Sequence, residues 1–370
     1  MRGCPAADDP WIRLVHLLMP NARTFVDIGS NKGYSGARFY ALWNPELGLD
    51  EKVLHSHLAR EVAKGATPEL KECGACGDCR GGAGPLLPRA GRVCGRQSAK
   101  TGNANYQREL SKGVGSVCAR ARAGYAPIQV HSFDGNAGLV SGLRSAIGAI
   151  ASGGTLHGST ASDLDPAFRP DVASVGGAWT VTLAAFSEDG DAGGPGGRTV
   201  QFVQGLGEVG HLTVRGVRSE DAQKRGGGTL RAVPMLSVDA WRERMQIKRI
   251  DVLKIDVEGH DVSVLRSARR TLSSGLASVV MFEYHHKWPT EHTLGSVVEW
   301  MAHPNPTAAG YGGPAVYVCY LEGKNLLLRL TGCWDKKLEL RRWSNVWCLH
   351  SVHAATVVTA FDAYSIAFMQ

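Results

Sequence analysis

Apolar and polar positions near the start of the chain switch between two periods. Residues 11–19 (WIRLVHLLM) have the spacing of a short amphipathic helix that stops at Pro20. Residues 24–29 (TFVDIG) form a β-branched and aromatic run ending in an acid and a glycine, the pattern of a buried strand. From Gly33 to Trp43 the helical period returns, with Tyr34, Ala37, Tyr40 and Ala41 on one face and a stop near Pro45. Further strands are predicted at 127–133 and 179–186, with a helix over 137–151 between them. Segments 199–204 and 211–217 read as an antiparallel excursion, and Ser237 as the N-cap of a helix over 238–245. The strongest strand is 250–256 (IDVLKID). A helix from His260 to Leu272 follows, with Val264, Leu265, Ala268 and Leu272 on one face, then a strand at 278–282 ending at Glu283. A helix near 292–302 and strands near 315–321, 325–330 and 345–349 complete the pattern. Strands alternating with helices imply an α/β fold: a doubly wound, mostly parallel sheet covered on both faces.

Between 45 and 126 the periodicity fades into Gly, Arg and Cys, and this stretch is read as an insertion. It divides the chain into a first βα unit (1–44), the insertion (45–126), the remainder of the main domain (127–350) and a C-terminal tail (351–370). The segment from Arg60 to Arg122 has an excess of seven positive charges, equal to the net +7 of the whole chain. Basicity therefore belongs to the insertion, either as a solvated surface or as a surface for an acidic partner. Cys73, Cys76 and Cys79, with Cys94 further on, offer four thiolates, enough for tetrahedral zinc; an iron–sulfur cluster or free thiols fit the same spacing. This spacing resembles metal ligands or thiols more than a disulfide framework, and with no signal-like start it points to an intracellular, cytoplasmic protein. No apolar run approaches the ~20 residues of a membrane span.

The loop after the first strand is Asp27-Ile28-Gly29-Ser30-Asn31-Lys32-Gly33. In an open α/β sheet, ligands sit beyond the carboxyl ends of the strands, and glycine lets backbone pass close to them. Gly29 and Gly33 fit such positions, and Asn31 tolerates left-handed angles. The loop is neither G-x-x-x-x-G-K-[ST] nor G-x-G-x-x-G, which argues against cradled phosphates. S-adenosylmethionine has no phosphate, and its cationic methionine end accounts for Asp27. An acid at the end of the second strand, Asp134, can hold ribose hydroxyls; with the insertion removed, its spacing from Gly29 falls to about the 20 residues expected. A tight turn and a solvated acid are the alternatives for these two features.

Behind the strongest strand, 254–261 (KIDVEGHD) gathers Lys254, Asp256, Glu258 and His260. Charge there needs a partner, so a Lys–Asp or Lys–Glu pair is one reading and a ligand pocket the other.

The segments 25–35 (FVDIGSNKGYS), 131–136 (HSFDGN), 183–190 (LAAFSEDG), 236–241 (LSVDAW), 250–268 (IDVLKIDVEGHDVSVLRSA) and 281–285 (MFEYH) resemble, in order, the FkbM family of S-adenosylmethionine-dependent methyltransferases. The resemblance implies a class I, Rossmann-like methyltransferase fold with seven strands. It implies that Asp27, Gly29, Asn31 and Gly33 meet the methionine moiety, that Asp134 holds the ribose, and that Ala185 and Ser187 lie near the adenine. Asp134-Gly135 stands where the family usually has Glu-Pro, and Asp261 where it commonly has Glu.

The activity so implied is methyl transfer to a hydroxyl, on a small molecule or sugar, with Asp256, Glu258 and His260 as candidate proton acceptors and Glu283 and His285 next in line. Two other classes remain open from sequence. One is a nicotinamide-dependent oxidoreductase. The other is a module gripping nucleic acid or an acidic protein through the basic insertion, although nucleic acid is the less favoured partner.

Overall fold

The computed structural model describes residues 9–45, 49–63, 128–151, 157–158, 178–191, 198–204, 211–212, 229–304, 316–323 and 326–366. The chain enters through α1 (Asp9–Leu18) and reaches β1 (Thr24–Ile28), whose five residues are all buried because it runs mid-sheet. Helix α2 (Tyr34–Trp43) follows, then α3 (Glu51–Ala63), β2 (Gln129–Asp134), α4 (Ala137–Ala151), β3 (His157–Gly158) and β4 (Ala178–Leu183). A smaller set comprises β5 (Ala185–Phe186), β6 (Arg198–Gln204), β7 (His211–Leu212) and β8 (Thr229–Leu236). The second half holds α5 (Val238–Arg244), β9 (Ile250–Ile255), α6 (Asp261–Ser267), α7 (Arg269–Ser273), β10 (Ala277–Tyr284) and α8 (Leu294–Ala302). Strands β11 (Tyr317–Gly323), β12 (Leu326–Arg329) and β13 (Ser344–His350) precede the last helix, α9 (Ala355–Ile366).

The main sheet has the order β12-β11-β13-β10-β9-β1-β2-β4-β3, and a four-stranded sheet has the order β5-β8-β6-β7. Strands β3, β4, β2, β1, β9 and β10 pair in parallel, whereas β13 is antiparallel to both β10 and β11. Among the described residues, nine strands replace the seven expected. The surplus lies at the two edges, in the two-residue β3 and in β12, which folds back on β11 as a hairpin.

Alternation along the strands divides the core into two faces. Phe25 and Val252 join a cluster with Trp11, Phe39, Trp43, Leu143 and Ile147. Val26, Ile28, Leu253 and Ile255 join the opposite one with Trp241, Leu265, Leu272 and Met301. Two boundaries drawn from sequence shift. Helix α3 lies inside the expected insertion, yet Leu54 and Leu58 are core residues and Glu61 accepts a hydrogen bond from Ser145 of α4 at 2.7 Å. Helix α9 lies in the expected tail, yet Val357 and Phe361 are buried against the same cluster. The helix expected over 260–272 is broken at Ala268 into α6 and α7. Ser237 caps α5 as anticipated, its Oγ accepting from Ala240 N–H at 3.0 Å.

Cys319 and Cys348 stand opposite one another on β11 and β13 and form a disulfide. Such a bond belongs to oxidising compartments more than to the cytosol, and it weighs against the intracellular expectation drawn from cysteine spacing. The proposed zinc ligands Cys73, Cys76, Cys79 and Cys94 lie outside the described residues. Among the described residues no helix is long and apolar enough to cross a membrane.

Candidate functional site

The loop after β1 crosses the carboxyl ends of the two central strands. Gly29 (φ 81°), Asn31 (φ 50°) and Gly33 (φ 79°) all adopt left-handed backbone. A Cβ on Gly29 would lie 1.7 Å from the carbonyl oxygen of Asp256, so only glycine lets the loop pass the end of β9. The sequence reading gave that room to a ligand; at Gly29 the neighbouring strand's backbone takes it. Gly29 N–H and Ser30 N–H both donate to the Phe133 carbonyl at 2.9 Å, and Asp256 N–H donates to the Ile28 carbonyl at 2.9 Å. Strands β1, β2 and β9 are thus stitched together just where a ligand would sit.

Asp134 is brought to this loop, as its position at the end of β2 predicted. Its Oδ2 accepts from Asn31 N–H at 2.9 Å and its Oδ1 from Asn136 N–H at 2.7 Å. Each oxygen keeps a further lone pair, so the carboxylate can shape the loop and still accept from a ligand. Burial pushes its pKa up to about 6, opposed by those two backbone donors and by Lys254, and reinforced by the charge of Asp27. Around it, Ser30 Oγ, Asn31 Oδ1 and Asn136 Nδ2 are buried without a hydrogen-bond partner. Such atoms cost free energy unless a bound group satisfies them.

On the next strand, Lys254 bridges two carboxylates: its Nζ lies 3.3 Å from Asp27 Oδ1 and 3.2 Å from Asp256 Oδ2. Asp27 is fully buried, whereas the Asp256 side chain is 41% exposed at the strand's end. The Lys–Asp pairing weighed from sequence is therefore present, and it lies beside the loop rather than apart from it. Glu258 follows at φ 56°, a conformation costly for a side-chain-bearing residue, and its carboxylate pairs with Lys287. His260 takes the position before α6 and makes no side-chain capping bond. Asp261, wholly buried, accepts from Gly259 N–H at 3.2 Å, and burial together with the charges of Asp256 and Glu283 raises its pKa well above the usual carboxylate range.

Beyond the end of β9, Glu283 near the end of β10 and His285 just after it are 8% and 3% exposed. Their Oε2 and Nε2 atoms lie 2.9 Å apart. Lys287, which pairs with Glu258, has no signal in the sequence pattern; only the docking of turn 256–259 on turn 285–288 reveals it. Ala185 is buried on β5, and Ser187 Oγ lies 3.1 Å from Ser263 Oγ on α6, so the two residues expected near adenine sit beyond the end of β4 and against α6.

This arrangement concentrates carboxylates and unsatisfied neutral polar atoms at the strand ends, with two buried lysines, Lys32 in the loop and Lys254 on β9. The Methyltransferase FkbM domain family model matches residues 197–311, less than a third of the chain. The matched stretch contains β9, the 254–261 block, Glu283 and His285, and leaves out the loop after β1 and Asp134. It supports a methyltransferase role. No curated protein and no solved structure matches the chain.

Proposed function

We propose that the protein is an S-adenosylmethionine-dependent methyltransferase acting on a hydroxyl group of a small molecule or sugar. The observation that carries this reading is the FkbM domain match at 197–311, which covers the β9 side of an acid-lined site whose other side, at the ends of β1 and β2, lies outside the match. When bound, the cofactor supplies an electrophilic methyl group on a sulfonium. The residues present suit it: Asp27 and Asp134 offer negative charge, and Ser30 Oγ, Asn31 Oδ1 and Asn136 Nδ2 are buried polar atoms awaiting partners. Asp134 would accept from the ribose hydroxyls, the loop 29–33 would hold the methionine end, and Ala185 and Ser187 would border the adenine.

The chain's own part in the reaction is to position the acceptor oxygen, exclude water and receive a proton. Positioning a bound pair of reactants lowers a barrier by several kcal/mol, on the order of 7–11 at best. Asp256 is the proton acceptor we assign among Asp256, Glu258 and His260. Its carboxylate is accessible at the end of β9, and Lys254 offsets its charge between turnovers. The test is calorimetric titration with S-adenosylmethionine, followed by turnover with labelled cofactor over a panel of hydroxylated metabolites. Micromolar binding and label transfer are expected. In Asp256→Asn, kcat should fall by about 100-fold or more with cofactor affinity held within a few-fold. An absence of cofactor binding would sink the assignment of the loop, and an unchanged kcat would sink that of Asp256.

A further inference from the structure

We propose that Glu258, Glu283 and His285 form a binding site for one divalent cation of the manganese or magnesium type. The three residues present ligand atoms that all lie within 4.8 Å of one another. Glu283 and His285 are more than nine-tenths buried, and neither Glu283 Oε2 nor His285 Nε2 has a hydrogen-bond partner. The two atoms nevertheless approach to 2.9 Å. Their contact is close without forming a hydrogen bond, and an ion bound by both would satisfy the two atoms at once. Two ligands of an octahedral ion at about 2.1 Å subtend an edge of about 3.0 Å, which matches that separation. Glu258 completes the set from the opposing turn, held there by its left-handed backbone.

The charge balance favours a cation as well. Two carboxylates face the imidazole, and the Lys287 ammonium, on the Glu258 carboxylate, is the cation that a metal would displace or share. A buried carboxylate needs a positive partner, and a divalent ion is a stronger one than the imidazole. The two carboxylates suit magnesium- or manganese-type ions, and the set has no thiolate for a thiophilic one. Lys287 N–H donates to His285 Nδ1 at 3.0 Å, so the ring proton resides on Nε2 before an ion enters. Coordination through Nε2 therefore carries that proton to Nδ1 and gives up the Lys287 contact, while the carboxylates need no such change. His285 is accordingly the weakest of the three ligands.

The site stands independently of the methyltransferase reading, because it is tested by binding. Full-length protein purified with chelator and dialysed free of it is titrated with Mn2+, following free ion by electron paramagnetic resonance. One saturable site is expected. Glu258→Gln and Glu283→Gln should each weaken it at least tenfold, His285→Gln less, and Lys287→Ala should tighten it. Circular dichroism melts report whether each variant is folded; Glu258 is part-exposed, so its variant serves if Glu283→Gln unfolds. No saturable Mn2+ uptake, or uptake that Glu258→Gln leaves unchanged, overturns the proposal. S-adenosylmethionine titration of the same samples separates failure of this site from failure of the cofactor loop.

Discussion

Asp134 and His131 lie three residues apart on β2, and burial shifts their pKa values in opposite directions. Asp134 has its pKa raised to about 6 by burial, so it takes up its charge only as pH rises through that value. A cationic cofactor is drawn by the ionised form. We therefore expect S-adenosylmethionine affinity to rise by several-fold between pH 5 and 7, and Asp134→Asn to flatten the profile and weaken binding about tenfold at pH 7. Calorimetry across this range decides it. His131, 1% exposed with Nδ1 2.8 Å from Thr180 Oγ1, has its pKa lowered to about 4 by burial. A base with a depressed folded pKa contributes stability above its unfolded value of about 6.5, and that contribution is lost as pH falls through 4. The shift corresponds to about 3 kcal/mol, so urea unfolding of the wild type at pH 4.5 and 7 should differ by up to that amount more than for His131→Asn. An equal pH dependence in both proteins would remove His131 from the account. At this scale the sequence located Asp134, whose place after a strand is visible, but not the backbone donors that occupy it. Those come from loops whose course no residue pattern records.

At the scale of elements, regular periodicity was legible and packing against distant segments was not. Strands β1, β2 and β9 and helices α2 and α4 follow from alternation and helical spacing in their own residues. Helix α3 escaped because its core positions, Leu54 and Leu58, are scattered among histidines and basic residues, and its partner α4 is more than seventy residues away. Helix α9 escaped because apolar residues surround it on most sides, so no stripe marks the face against Trp11 and Tyr320. Strand β8 carries Pro234, which argues against a central strand until its pairing with β6 and β5 is seen. The Cys319–Cys348 bridge was equally hidden, since 29 positions separate its halves. A loop of that length predicts about 3.6 kcal/mol of stabilisation from the cross-link. Unfolding midpoints should fall in the presence of reductant, and the Cys319→Ala/Cys348→Ala double variant should melt at that lower value whether or not reductant is present. Identical melts of oxidised and reduced wild type would mean that the bridge contributes nothing.

For the molecule as a whole, the two halves of the parallel sheet meet at β1 and β9, and Gly29 is where the loop after β1 passes the end of β9. The family resemblance drawn from sequence anticipated a cofactor loop here, and the fold adds a second duty. The loop is the seam between the half built before residue 191 and the half built after 229. The contrast between its two glycines follows from what surrounds them. At Gly29 a methyl group would meet immovable backbone, the carbonyl of Asp256 at 1.7 Å, in a left-handed conformation. At Gly33 the conformation is equally left-handed, but the neighbours are Leu143 methyls at 2.8 Å and the Trp179 ring at 3.2 Å, which can shift. Gly33→Ala should thus fold, with a loss of about 1–3 kcal/mol from backbone strain. Gly29→Ala must part β1 from β9 to be accommodated, and should lose cooperative unfolding and cofactor binding together. Comparison of the two variants by thermal melts and S-adenosylmethionine titration tests the seam directly. If Gly29→Ala melted as cooperatively as Gly33→Ala, the close approach to Asp256 would not be what joins the halves, and the loop would owe its glycines to the ligand alone.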